Sequence, residues 1–337
     1  MIDGGRLDFD ENLARAGLGI GNVSILENVR PAVLAKNHCF HGKPVVYPDG
    51  MTNKKDVRTI VVVGAGIMGR GIAHVSAMAG YTTVLNDVSN ELLEKARGQV
   101  RRDLEKGIEI GKVTSDSMEQ TLSRLTLESA LERAVSHADL IIEAVPESIE
   151  LKVDLFARLD RICAQNVIFA SNTSALSITE MAGATKRPQQ FIGMHFFNPV
   201  HKMKLVEIIR ALETNDDTFQ TVDSVAKRMG KETVEVKESP GFVTTRINAL
   251  IGNEAFYMLQ EGIASARDID KALKLGLNHP MGPFEMIDLV GLDTRLSILS
   301  FLHQTFGEKY RPCPLLVKYV KAGRLGKKVG KGVYEYP

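Results

Sequence analysis

Residues 60–87, IVVVGAGIMGRGIAHVSAMAGYTTVLND, constrain the fold of this chain more than any other stretch. Four apolar residues, Ile60 to Val63, read as a buried parallel strand. A Gly64-x-Gly66-x-x-Gly69 turn follows, and a helix opens near Ile67. Gly64 suits the tight turn, Gly66 lets a pyrophosphate approach the backbone, and Gly69 allows the helix to lie close against the strand. The helix N-terminus, with Ile67 and Met68 in its first turn, offers N–H groups and a positive dipole end to phosphate oxygens. A second strand, Thr82 to Asn86, ends in Asp87, whose carboxylate stands where an adenosine ribose diol needs an acceptor. A glycine turn alone is weak; strand, turn, helix, second strand and terminal acid within about 30 residues predict a bound dinucleotide. Asp87 would repel a 2′-phosphate and Val88-Ser89-Asn90 offers no Arg to receive one, which predicts NAD rather than NADP.

Charge and cysteine usage narrow the partners. Against 42 basic residues stand 41 acidic ones, so no field exists for nucleic acid or an anionic membrane surface. No run approaches the roughly 18 apolar residues of a transmembrane helix, and the acidic N-terminus (Asp3, Asp8, Asp10, Glu11) lacks the apolar centre of a secretory signal. Cys39, Cys163 and Cys313 are widely spaced and without metal-ligand patterns, which argues against a disulfide framework and suits a reducing compartment. A cytoplasmic protein without a metal site is expected.

The chain divides into three parts by composition. Residues 1–55 are glycine-rich, lack periodicity and end in the polar run Pro48 to Lys55. They read either as a weakly ordered extension or as a reading frame extended upstream of a start at Met51. Residues 56–240 alternate strand and helix, with a helical insertion at 89–125 (helices at 89–108 and 115–124) and later strands at 139–144, 167–171, 191–197, 204–209 and 232–236. Residues 241–337 read as helices, 242–262, 267–275 and 283–303, separated by Gly and Pro turns. The expected fold is α/β: a doubly wound, Rossmann-type domain followed by an all-α C-terminal domain.

The chemistry concentrates in FIGMHFFNPVHKMKLVEII. Two apolar strands flank the loop Asn198 to Lys204; if the turn centres on His201, His195 faces Glu207 across an antiparallel pair. A carboxylate beside an imidazole orients it, fixes its tautomer and stabilises its protonated form, as a general base for an alcohol proton requires. Such a pair is also a common structural feature of sheets; its place beyond the nucleotide half of the sheet favours catalysis. The run Ser171-Asn172-Thr173-Ser174 ends a strand and would face the crevice at the carboxyl ends of the sheet, or else form a turn and cap the helix from Leu176. Glu147, Ser148 and Lys152 follow strand 139–144 and would contact ribose and nicotinamide, or begin a helix.

These segments, with EAVPESIELK, SNTSALSIT, SPGFVTTRI, LGLNHPMGPFEMIDLVGLDT and GRLGKKVGKGVYEY, resemble the short-chain L-3-hydroxyacyl-CoA dehydrogenases, bacterial 3-hydroxybutyryl-CoA dehydrogenases above all. The resemblance runs from Val57 to Tyr336. It implies NAD-dependent, reversible oxidation of a (3S)-3-hydroxyacyl-CoA to the 3-oxoacyl-CoA, with His195 as base and Glu207 as its partner. It further implies that Ser174 holds the substrate oxygen beside the cofactor and that Asn198 binds near the nicotinamide. Asp87 would take the adenosine ribose, while Glu147, Lys152 and Lys328 would contact the nicotinamide half. Thr245 stands where the family usually has an Asn that polarises the substrate carbonyl. The segment 89–125 is similar to the family's segment for the adenine end of CoA, and Lys106 and Lys112 are candidates there for phosphate contact, against a reading as a solvated helix face. A homodimer through the helical domain is implied, in keeping with apolar residues in 242–262 and 283–303 beyond what one buried stripe needs. Two other readings share this framework: a dehydrogenase of a free hydroxy acid or sugar acid, and a crystallin-like structural relative that keeps its cofactor.

Overall fold

The apolar run at Ile60–Val63 becomes the middle of a sheet. In a computed structural model that describes residues 55–337, the chain runs β1 (Thr59–Val63), α1 (Ile67–Met78), β2 (Thr82–Asn86), α2 (Asn90–Glu109), α3 (Ser115–Arg124), β3 (Leu125–Glu128), α4 (Leu131–Ala134) and β4 (Leu140–Glu143). It continues through α5 (Ile149–Ile162), β5 (Ile168–Ser171), α6 (Ile178–Gly183), β6 (Phe191–Phe196), β7 (Leu205–Arg210), α7 (Asp216–Arg228) and β8 (Glu232–Lys237). Helices complete it: α8 (Thr244–Gln260), α9 (Ala266–Gly276), α10 (Pro283–Val290), α11 (Leu292–Phe306) and α12 (Pro314–Lys321). The expectations for residues 1–54, Cys39 and Met51 among them, lie outside the described residues.

The eight strands form one sheet in the order β3-β2-β1-β4-β5-β6-β7-β8. The strands from β3 to β6 are parallel, β7 turns back antiparallel to β6, and β8 is parallel to β7. Side chains alternate between its faces, as a period of two dictates. Ile60, Val62, Leu140 and Ile142 pack with Ile72 and Val75 of α1 and Val222 and Val225 of α7. Val61, Val63, Ile141 and Phe169 pack on the other side with Phe156 and Leu159 of α5 and Ile178 of α6. Both faces are covered, which is why the central strands are apolar throughout. Doubly wound order is thus present, with a helical region whose own core includes Phe256, Phe284, Leu299 and Leu302.

Two departures from the sequence reading have local causes. The helices in 89–125 are no insertion ahead of the sheet. They are the crossover from β2 to β3, whose four residues pair in parallel with β2; α2 buries Leu93, Ala96, Val100 and Leu104. A strand as short as Leu125-Thr126-Leu127-Glu128 carries too few alternations to be recognised by pattern. The stretch 283–303 is two helices, α10 and α11, divided at Gly291, where φ is +108°. A side chain there would meet Asp293 Oδ1 at 2.8 Å and Lys328 Nζ at 3.2 Å, so the break suits glycine. No helix among the described residues is long and apolar enough to cross a membrane.

Candidate active site

Each glycine of the first turn answers to a different constraint. Gly64 has φ +105°, and a Cβ on it would lie 2.6 Å from the carbonyl oxygen of Ala144. A Cβ on Gly69 would lie 1.7 Å from the carbonyl oxygen of Gly64, so only glycine lets α1 approach β1 this closely. Around Gly66 no protein atom lies within 4 Å of a built Cβ. Protein packing therefore does not require glycine at 66, whereas a pyrophosphate laid against the backbone would. Gly66 is also the N-cap of α1 and supplies no capping side chain, which leaves first-turn N–H groups for an anion. Asp87 holds the turn from the end of β2: its Oδ2 accepts from Ala65 N at 2.8 Å and its Oδ1 from Ser89 N at 3.1 Å. Gly64, Gly66, Ile67, Met68 and Asp87 line a cleft of about 930 Å³. A dinucleotide's adenosine half fits the position of that cleft at the carboxyl ends of the parallel strands.

A second cleft, of about 850 Å³, is lined by Glu147, Lys152, Ser174, His195, Asn198 and, from α11, Asp293 and Ser297 among others. Met68, Ala144 and Val145 line both clefts, so the two adjoin. The β6–β7 register pairs His195 with Glu207, and His195 Nδ1 lies 2.7 Å from Glu207 Oε2. With Nδ1–H donating to the carboxylate, Nε2 carries the lone pair. The rings of Phe197 and Phe242 stand 4.4 and 5.8 Å from the imidazole.

Glu207 is fixed in turn by the start of α8. Its Oε1 accepts from Val243 N at 3.2 Å and Thr244 N at 2.9 Å, and its Oε2 accepts from Thr244 Oγ1 at 3.1 Å. Burial alone would raise its pKa, yet the hydrogen bonds from His195 and the Thr244 backbone prevail and hold it lowered, so the carboxylate stays ionised. The chain reaches this geometry through consecutive positive φ angles, +74° at Gly241 and +48° at Phe242. A buried phenylalanine in the left-handed region is strained, and here that conformation aims the helix N-terminus at the His195–Glu207 pair. Nothing in the local sequence singles out Thr244 except the Pro240-Gly241 turn directly before a helix.

A second polar network underlies the cleft. Glu143, at the end of β4, is fully buried; it accepts from Lys152 Nζ at 2.5 Å, Ser171 Oγ at 2.5 Å and Val145 N at 2.7 Å. Burial pushes its pKa up against these partners. Removing Lys152 alone would leave a buried carboxylate unpaired, at a cost of about 3–5 kcal/mol. Lys152 Nζ also lies 3.4 Å from Glu147 Oε2. Glu147 Oε1 accepts from Thr173 Oγ1 at 2.6 Å, Ser174 N at 2.9 Å and Ser174 Oγ at 3.2 Å, which sets the loop carrying Ser174.

The run 171–174 therefore divides. Ser171 and Thr173 are turned inward and fully buried, while Asn172 and Ser174 line the cleft. The side chain capping α6 is Ser177 and that capping α5 is Ser148. Asn198 lines the cleft beside His195. Lys328 Nζ is held by both oxygens of Asp293, at 2.7 and 2.6 Å, and so sits behind a cleft residue. Thr245 is half-buried on the first turn of α8 and lines neither cleft. Lys106 and Lys112 are exposed, near and just beyond the C-terminal end of α2, and line neither cleft.

Residues 59–239 match the family described as 3-hydroxyacyl-CoA dehydrogenase, NAD binding domain, and residues 241–336 the one described as 3-hydroxyacyl-CoA dehydrogenase, C-terminal domain. A probable 3-hydroxybutyryl-CoA dehydrogenase of Bacillus subtilis (strain 168) is 49% identical over 282 residues, 83% of this chain and 98% of that relative. A 3-hydroxybutyryl-CoA dehydrogenase of Bradyrhizobium diazoefficiens is 44% identical over 281 residues, 83% of this chain and 96% of the relative. Among solved structures, (S)-3-hydroxybutyryl-CoA dehydrogenase PaaH1 from Ralstonia eutropha superposes with a TM-score of 0.81 at 44% identity, covering 84% of this chain and 100% of its own.

Proposed function

The chain belongs to the 3-hydroxyacyl-CoA dehydrogenase family and is an NAD-dependent dehydrogenase, and from this premise we propose a short-chain (3S)-3-hydroxyacyl-CoA, 3-hydroxybutyryl-CoA foremost, as its substrate. The observation that carries the proposal is the carboxylate-bound imidazole of His195, lining a cleft that adjoins the dinucleotide cleft. Nε2 of His195 takes the proton of the 3-hydroxyl group, and Glu207 stabilises the imidazolium that results. In the reverse direction the protonated His195 returns that proton to the carbonyl oxygen. NAD, when bound, supplies the nicotinamide that accepts hydride from carbon 3.

The Gly64–Gly69 turn, Ile67, Met68 and Asp87 would hold the adenosine diphosphate portion of the cofactor. Glu147, Lys152, Asn198 and Lys328 are assigned to the nicotinamide half, with the Lys152 amino group bridging Glu143 to Glu147 and that of Lys328 held by Asp293. Ser174 would place the substrate oxygen, and Thr245 remains the assigned counterpart of a carbonyl-polarising residue. Lys106 and Lys112 are retained as candidates for the CoA phosphates. A homodimer through the helical region is supported by Ile247 and Leu289, which are 55% and 54% exposed on α8 and α10. A cytoplasmic location accords with Cys163 and Cys313, both free thiols in the interior.

NADH oxidation tests the substrate assignment. Acetoacetyl-CoA should be turned over and acetoacetate should not; equal rates would refute the acyl-CoA reading, and NADH binding without turnover of either would refute the catalytic one.

A further inference from the structure

His74, Asp103 and His201 come from α1, α2 and the loop between β6 and β7, and meet away from both clefts. One possible ligand atom from each lies within 4.8 Å of the other two. The two imidazole rings are 5.7 Å apart between centroids and tilted by 31°. His74 is 3% exposed, and its buried Nε2 has no hydrogen-bond partner among the described residues. A buried ring nitrogen left in that condition calls for a missing partner.

We infer that His74, Asp103 and His201 bind one divalent transition-metal ion of the zinc class, at a site separate from the reaction. Two imidazoles and one carboxylate suit Zn²⁺ or Co²⁺, whereas Mg²⁺ and Ca²⁺ favour sets of oxygen ligands. In a tetrahedral site with bonds near 2.1 Å the donor atoms stand about 3.4 Å apart. His201 is exposed and Asp103 half-buried, so their side chains have room to close the remaining gap, up to about 1.4 Å, onto the fixed His74, with water as fourth ligand. Asp103 Oδ1 already accepts from Gln99 Nε2 at 2.9 Å, which orients the carboxylate as ligating carboxylates commonly are. Lys202 and Lys231 oppose the ion by charge. The Lys231 ammonium is turned onto the main-chain carbonyls of Val200 and Met203, where it braces the loop that carries His201. A bound ion would tie that loop to α1, the helix whose N-terminus faces the dinucleotide cleft. The scattered positions 74, 103 and 201 form no motif, which is why the sequence predicts no metal.

The test is a titration of the full chain, first stripped with a chelator, with CoCl₂ and ZnCl₂. One ion per chain should bind, with visible d–d bands for four-coordinate Co²⁺ that Zn²⁺ bleaches, and Zn²⁺ should raise Tm. His201→Ala and His74→Gln should each weaken binding by roughly tenfold to a hundredfold or more and abolish the Tm rise. His201→Ala should leave metal-free turnover unchanged. Should His74→Gln fail to fold, His201→Ala and Asp103→Asn decide the matter from side chains that are not buried. Absence of saturable binding, equal binding in the variants, or displacement by equimolar Mg²⁺ would overturn the inference.

Discussion

Replacing Glu207 with Gln changes one atom's identity and should nearly silence the enzyme, for a reason set by the start of α8. Two backbone N–H groups, of Val243 and Thr244, point at Oε1, while Oε2 faces His195 Nδ1. Backbone donors cannot reverse, so the glutamine amide must put its oxygen at the Oε1 position and its NH₂ toward His195. That NH₂ donates to Nδ1 and drives the imidazole proton onto Nε2, where it blocks the base. The opposite amide orientation keeps the productive tautomer but leaves two part-buried N–H groups facing the amide NH₂ without acceptors, at up to about 1–3 kcal/mol each, or up to about 2–6 kcal/mol together. At about 1.4 kcal/mol per tenfold, kcat should fall between about 30-fold and about 10⁴-fold. The assay is steady-state NADH oxidation with acetoacetyl-CoA, alongside NADH binding by fluorescence and Tm, both of which should change little. Glu207→Ala, although farther from Glu in shape, should be no more damaging than Glu207→Gln, because it imposes no tautomer. Loss of less than about fivefold in Glu207→Gln would refute the tautomer argument.

His195→Gln should cost about two to four orders of magnitude in kcat while NADH binding stays intact; a loss below about tenfold would place the proton elsewhere. NADH should be strongly preferred over NADPH because of Asp87, and comparable kcat/KM values would contradict this. Gly66→Ala should weaken NADH binding with little change in Tm, since its Cβ meets only open space, whereas Gly69→Ala should lower both, its Cβ falling 1.7 Å from a backbone oxygen. Equal Tm losses in the two would remove the argument that the cofactor alone demands glycine at 66. Light scattering should give twice the 37.0 kDa chain mass; a monomer would mean that Ile247 and Leu289 serve no partner.

What the sequence determined by itself was whatever a short stretch specifies within its own span. The β1–turn–α1–β2 unit was legible because its glycine spacing, apolar run and terminal acid are contiguous constraints. The His195–Glu207 pairing was legible because a single short loop fixes an antiparallel register. The rest was decided by contacts between distant segments. Glu143 reads as the polar end of a strand until Lys152 and Ser171 close over it. Thr244 is an ordinary helix start until the positive φ angles at Gly241 and Phe242 turn it toward Glu207. Four-residue β3 gains its strand character from pairing with β2, and His74 meets Asp103 and His201 only after α1, α2 and the β6–β7 loop have packed. Local pattern encodes dihedral preference and burial over a few residues, whereas these contacts join residues 9 to 127 positions apart, and no local preference records which group will fill a buried polar site.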